Sequence, residues 1–458
     1  MDEIDSSSDI SVTTRQDPDN HKRLIREISL PCGQIESSIR VTTNPASTQA
    51  DPRAAWWWSY LQGKKPRPST ERGTLRVAEM FGGPGGLAQG VKQFCREAGL
   101  IFESRAVVDQ DKGAVDVYVH NHHTPERHTA RCATSSIIDH ELDPDSGNWP
   151  STGWTASTAP MITELHPNWR DLHGELDLLL AGPPCQGHSN LNNWSRYDDD
   201  RNEAYLDVPA LAVALDIPLV IIENVPSVVH DAREVVTKAH QLFTRNGYHV
   251  ESGTIKADAM GWPQTRARFF MIARKDKPPL SLETAQNALA WPENESPPDL
   301  WWAIHDLAKG SPEEHHMHRR AQYSQANLDR IDYLHGEGSE NFNLPPERHN
   351  ETHQKGTTYT GVYGRLNPEA PAGTITSGFL TPGRGRYVHP TERRTITPAE
   401  AARIQGFPDN YIFDVDGVVP SKQQLTKWIG DAVPMPLGYA AAMSALGPGI
   451  PRSEQTEG

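Results

Sequence analysis

The chain has 458 residues, 36% of them hydrophobic, and a formal net charge of −15. That length is long for one ordinary domain and predicts a large domain with a smaller companion. No apolar run approaches the roughly 20 residues of a membrane span. The acidic start is no secretory signal, and the scattered Cys32, Cys95, Cys132 and Cys185, without CxxC pairing, suggest neither zinc nor a disulfide framework. The expected setting is reducing and cytoplasmic or nucleoid-associated, with no membrane partner.

Residues 1–70 are rich in Ser, Thr, Asp and Pro and read as a disordered or loosely attached extension. Trp56-Trp57-Trp58 must pack against something, either as a helix docked on the main domain or as a base-stacking patch. From Leu75 the texture changes. Strand-like runs are predicted at Arg76–Met80, Ser104–Val108, Leu176–Ala181, Leu219–Glu223 and Phe269–Ala273, with helices over Leu87–Ala98 and Val208–Leu215. This alternation predicts an α/β fold with a largely parallel sheet across 71–275. Residues 276–358, rich in Pro, Glu, Asn and His, predict a small irregular inserted region. Regular patterning returns over 359–447, with helices at Pro398–Gln405 and Leu437–Leu446, and 448–458 reads as a disordered tail.

Four blocks carry chemistry. Phe81-Gly82-Gly83-Pro84-Gly85-Gly86 joins a strand to a helix, where glycines let the backbone approach a ligand beside helix N–H groups. Asp109 ends the next strand, where an acid commonly holds ribose hydroxyls; it also reads as an ordinary helix-start Asp. Next, the apolar strand ending at Ala181 runs into Gly182-Pro183-Pro184-Cys185-Gln186-Gly187-His188-Ser189, a rigid loop presenting a thiol. Glu223 in Glu223-Asn224-Val225 ends another buried strand, where an unpartnered carboxylate would be costly. Finally, Gln264-Thr265-Arg266-Ala267-Arg268 puts two arginines on one side of an extended segment, or simply charges the surface before a strand.

In order and context these blocks resemble the signature motifs of the cytosine-5 DNA methyltransferase family. Gly373-Thr374-Ile375-Thr376, the stretch from Arg394 through Glu400-Ala401-Ala402-Arg403-Ile404-Gln405-Gly406-Phe407, and Gly430-Asp431-Ala432-Val433-Pro434 resemble its late motifs. The sequence departs from the family at Glu79-Met80-Phe81-Gly82-Gly83 (usually Asp-Leu-Phe-Ala-Gly), at His188 (usually aromatic) and at Asp431 (usually Asn), all chemically near replacements.

The resemblance implies a Rossmann-like, mostly parallel sheet with helices on both faces, plus a small target-recognition domain. It implies S-adenosylmethionine as methyl donor, resting on Phe81, Gly83, Pro84, Gly85, Gly86 and Pro183, with Asp109 on the ribose, Gln110 near the adenine and Asp431 closing the site. Ser135, Ser136 or Asp139 would supply a further adenine contact. Cys185 would be the nucleophile, Glu223 would bond the ring N3 and amine, Arg268 would neutralise the O2 side, and Arg266 would support the loop or a phosphate. The target would be a cytosine flipped out of double-stranded DNA. Arg319, Arg320, Arg348 and Lys355 would contact phosphates or guanines. The pairs Lys64/Lys65, with nearby Arg67, and Arg384/Arg386 read as local basic pieces or solvated surface. His315-His316-Met317-His318, without a Cys partner, predicts no metal. A monomer and a companion restriction endonuclease are both compatible with the family. The alternatives are the same chemistry on tRNA, an inactive DNA-binding regulator on this fold, and a generic nucleotide-binding enzyme.

Overall fold

The computed structural model describes residues 10–44, 51–131, 167–184, 204–308, 315–337, 342–350 and 361–451. Its first strands, β1 (Ser11–Gln16), β2 (Arg23–Leu30) and β3 (Gly33–Arg40), form an antiparallel meander. Alternate residues of β2, namely Leu24, Arg26, Ile28 and Leu30, are buried. The expectation of a disordered or loosely attached extension therefore fails for residues 11–40. The strands alternate Ile and Leu with Ser, Arg and Glu, a half-buried pattern that reads as polar when only composition is weighed. Helix α1 (Pro52–Leu61) starts at Asp51, whose side chain accepts from the backbone N–H of Arg53 and Ala54, with Pro52 in the first turn. Its three tryptophans are buried, so docking replaces the base-stacking alternative. Short β4 (Arg67–Pro68) then pairs with β3.

The docking is polar at its centre. Arg26 is 2% exposed and lies 4.4 Å from the ring centroids of both Trp56 and Trp57. Its Nη1 is 3.3 Å from Glu97 Oε2. Glu97 also accepts from Trp56 Nε1 at 3.0 Å, Gln93 Nε2 at 2.7 Å and Tyr439 Oη at 2.6 Å. Removing one member of such a pair strands the other charge in the core. Glu97→Ala is expected to lower unfolding free energy by about 3–5 kcal/mol, read from urea unfolding. A loss under about 1 kcal/mol would mean that Arg26 finds water instead.

The main sheet comprises β5 (Gly73–Met80), β6 (Leu100–Val108), β7 (Thr129–Ala130), β8 (Leu178–Ala181), β9 (Leu219–Asn224), β10 (His249–Lys256) and β11 (Ala267–Arg274). Their order is β10-β11-β9-β8-β5-β6-β7. The run from β7 to β9 is parallel, and β11 and β10 are antiparallel additions. Both faces are apolar, as a sheet covered on both sides requires. Leu75, Val77, Leu178, Leu180, Leu219 and Ile221 point into one core, shared with α2 (Gly86–Glu97) and the helix Met435–Leu446. Ala78, Met80, Leu179, Ala181, Val220 and Ile222 point into the other, with the helices Ala204–Ala214 and Val235–Arg245. All five predicted strands are present. β10 was not foreseen because this edge strand, HVESGTIK, is mostly polar.

Beyond β11, Leu282, Ala285, Leu300 and Trp302 still join the main core. A separate small core forms from Ile331, Leu334, Leu344, Val362, Tyr363 and Val388. Among the described residues no helix is long and apolar enough to cross a membrane.

The chain leaves β5 for β6 on one side and later takes up β8 on the other. The carboxyl ends of β5 and β8 thus flank a crevice, the usual ligand position in such sheets.

Candidate active site

At that crevice β5 is followed by Phe81, held at φ 55°, a backbone region that a bulky residue rarely enters. Gly85, at φ 92°, caps α2. A side chain there would strain the backbone and meet His122 Nε2 at 2.4 Å. No side chain caps the start of α2, which leaves first-turn N–H groups for a ligand. Asp109 follows β6, and its Oδ2 accepts from Gly83 N at 3.0 Å while Oδ1 accepts from Asp111 N at 2.8 Å. Burial raises the Asp109 carboxyl above its ordinary range against these backbone bonds. So Asp109 holds the glycine loop as well as lining the crevice. Behind it, the buried Glu79 is pushed up by burial to about 8, which keeps this departure from the family's Asp largely neutral at pH 7.

β8 delivers Gly182, Pro183 and Pro184 to the same crevice. Cys185, Gln186, Gly187, His188 and Ser189 lie outside the described residues, as do Cys132, Ser135, Ser136, Asp139 and Lys355. β9 ends in Glu223. Because β11 runs antiparallel to β9 with Phe270 opposite Glu223, Arg268 arrives at the same end. Arg268 Nε lies 2.8 Å from Glu223 Oε1. Burial raises the Glu223 pKa, opposed by Arg268 and Arg266. Asn224, which the sequence did not single out, donates from Nδ2 to Pro183 O at 3.2 Å and ties the proline loop to β9.

The late motifs close the other side. Arg266 is 2% exposed, and its Nη1 donates to Ile375 O at 2.7 Å and Gly430 O at 2.9 Å. Of the two roles expected for Arg266, these bonds fit loop support. Gly430 is required by proximity, since a Cβ there would lie 2.3 Å from Thr376 C. Gln264 Nε2 donates to Gln405 Oε1 at 3.0 Å, and Gln405 Nε2 donates onward to Ile429 O at 2.6 Å. The result is a cavity of about 930 Å³. Its walls include Phe81, Gly83, Pro84, Gly86, Asp109, Gln110, Pro183, Glu223, Arg266, Arg268 and Asp431. Gly85 is not on the wall. Thr376, from the first of the late motifs, is on the wall, as is Trp428, which no motif signalled.

Glu400 holds the late motifs themselves. Arg394 Nη1 and Nη2 each donate to its carboxylate at 2.7 Å, and it completes a capping box with Thr397. Burial pushes Glu400 up, but Arg394 and His389 outweigh it and hold the group at about 2. A depressed carboxyl stabilises the fold above its unfolded pKa, near 4.5, and that contribution fades as pH falls toward 2. Glu400→Gln should cost about 3 kcal/mol at pH 7 and flatten the acid limb of stability, checked by urea unfolding between neutral and acidic pH.

Away from the cavity, Arg348 lies over Tyr333 at 3.7 Å, and Arg319 and Arg320 are exposed. His315, His316 and Asp414 bring possible metal-donor atoms within 4.8 Å of one another, none of them on the cavity wall.

Comparison with known proteins gives concordant matches. A family model described as C-5 cytosine-specific DNA methylase matches residues 75–446. Type II methyltransferase M1.BsuMI of Bacillus subtilis (strain 168) is 33% identical over 392 residues, covering 85% of this chain and 84% of that protein. Type II methylase M.HgiDII of Herpetosiphon aurantiacus is 28% identical over 294 residues, 62% of this chain and 78% of that protein. In fold, the chain is similar to the crystal structure of an E. coli prophage-encoded protein described as a DNA modification methyltransferase. The TM-score is 0.51 at 21% identity, covering 81% of this chain and 98% of that one.

Proposed function

The chain belongs to the C-5 cytosine-specific DNA methylase family, and on that premise we propose how its residues divide the work of methylating cytosine in DNA. The observation that carries the proposal is the Glu223–Arg268 pair in one cavity with Pro183, Pro184 and the glycine loop. A cytosine inside a stacked duplex cannot reach this cavity, so the base is extruded into it. The Cys185 thiolate adds to carbon 6 and forms a C–S bond, which moves electron density to carbon 5. Glu223, with its raised pKa, donates its proton to N3 and accepts from the exocyclic amine. Arg268 faces the O2 side and offsets charge there. After carbon 5 gains the methyl group, a water molecule accepts its proton as the C–S bond breaks and returns the thiolate, and N3 gives its proton back to Glu223.

S-adenosylmethionine, when bound, supplies the methyl group. The wall fits it: uncapped N–H groups at the start of α2 suit its carboxylate, and Asp109 suits its ribose hydroxyls. Phe81, Pro84, Gly86, Gln110 and Asp431 would complete that half. Arg319, Arg320 and Arg348 would meet DNA phosphates. The family's description, C-5 cytosine-specific DNA methylase, favours DNA over tRNA as substrate. Bisulfite sequencing of DNA from cells expressing the chain tests the assignment. Protected cytosines in one sequence context are expected. Unprotected DNA alongside methylated tRNA would move the activity to RNA.

A further inference from the structure

A second cavity, of about 200 Å³, lies beside α2 and shares no wall residue with the first. Its wall brings together Lys64 and Lys65 after α1, Lys92 and Arg96 on α2, and His120 and His123 at the end of α3 (Lys112–His122). Not one Asp or Glu is on it. None of the four Lys and Arg side chains has an ion-pair partner among the described residues. Lys92 Nζ donates only to a backbone carbonyl, Asn121 O, at 2.7 Å. In a chain with net charge −15, such a concentration of uncompensated cations is a local inversion of the protein's field. Two of the cations are half-buried, so water screens them poorly.

We propose that this cavity is a phosphate-binding site, separate from the catalytic cavity. Four cations and two imidazoles exceed what a single carboxylate needs and suit a group carrying two or more negative charges. The volume takes on the order of seven waters, room for one or two phosphoryl groups rather than a whole nucleotide. Burial, Arg96 and Lys65 push the Lys92 ammonium down to about 8, and an entering dianion reverses that pressure. The phosphate belongs either to a small free ligand or to the DNA backbone.

Titration of the full chain with inorganic pyrophosphate, and separately with duplex DNA across a range of salt, tests the site. The Lys64→Gln/Lys65→Gln variant alters only exposed side chains and should fold normally. Arg96→Gln removes a deeper charge, and Arg268→Gln is the control in the other cavity. If the ligand is free, pyrophosphate binding weakens by about tenfold or more in the first two variants and not in Arg268→Gln. If it is the DNA backbone, pyrophosphate binds weakly. The DNA salt slope then falls by about 2 in the double-lysine variant. The proposal is overturned if neither ligand distinguishes these variants from wild type, or if only Arg268→Gln does. No readout depends on methyl transfer, so failure of the catalytic assignment leaves this result interpretable.

Discussion

Cys185→Ala is expected to reduce methyl transfer by on the order of 10⁴-fold or more while leaving duplex DNA binding intact. Carbon 5 of cytosine is a weak nucleophile, and none of the described side chains on the cavity wall offers a sulfur to add at carbon 6. Its two preceding prolines stand on the wall, and Asn224 holds the first of them by its carbonyl. Removing the thiol leaves Glu223 and Arg268 able to grip the base, so binding should survive. Transfer of labelled methyl groups into duplex DNA measures the loss. A companion assay uses DNA carrying 5-fluorocytosine at the target. Carbon 5 then has no proton to release, so the C–S bond persists and the complex survives denaturing electrophoresis. That band should vanish in Cys185→Ala. Turnover within tenfold of wild type would refute the nucleophile.

Glu223→Gln should lower the rate by about 10²–10⁴-fold, the usual worth of a positioned proton donor. An amide still spans N3 and the amine by hydrogen bonds, but it has no proton to give. Burial raises the Glu223 pKa, so the protonated form extends to higher pH than for a free glutamate. If that form is the active one, wild-type rate falls as pH climbs through the raised pKa. In Glu223→Gln this alkaline limb should be missing, while any acid limb from the Cys185 thiolate stays. Stopped-time methylation assays across pH would show it, and an unchanged alkaline limb would assign that titration elsewhere.

The core of the α/β sheet was legible because strands covered on both faces carry their own signal. Leu178–Ala181 and Leu219–Ile222 are uninterrupted apolar runs, and the residues that end them fall at the crevice by topology. The N-terminal meander was not legible. Arg26 reads as a solvent residue, and Glu97, two tryptophans and Thr14, none of them near it in sequence, make its burial tolerable. Arg266 was visible as a charge, but its partners are backbone carbonyls, which every residue possesses and no sequence distinguishes. Asn224 stood in a quoted motif but carried no role there for the same reason, since it grips a proline's carbonyl.

The clasp of Arg266 on Ile375 and Gly430 also sets a schedule. Residues 266, 375 and 430 stand far apart along the chain, and folding proceeds from the amino end during synthesis, so this wall closes only after residue 430 has left the ribosome. Products that stop short of Gly430 should therefore lack the clasp and the wall it closes.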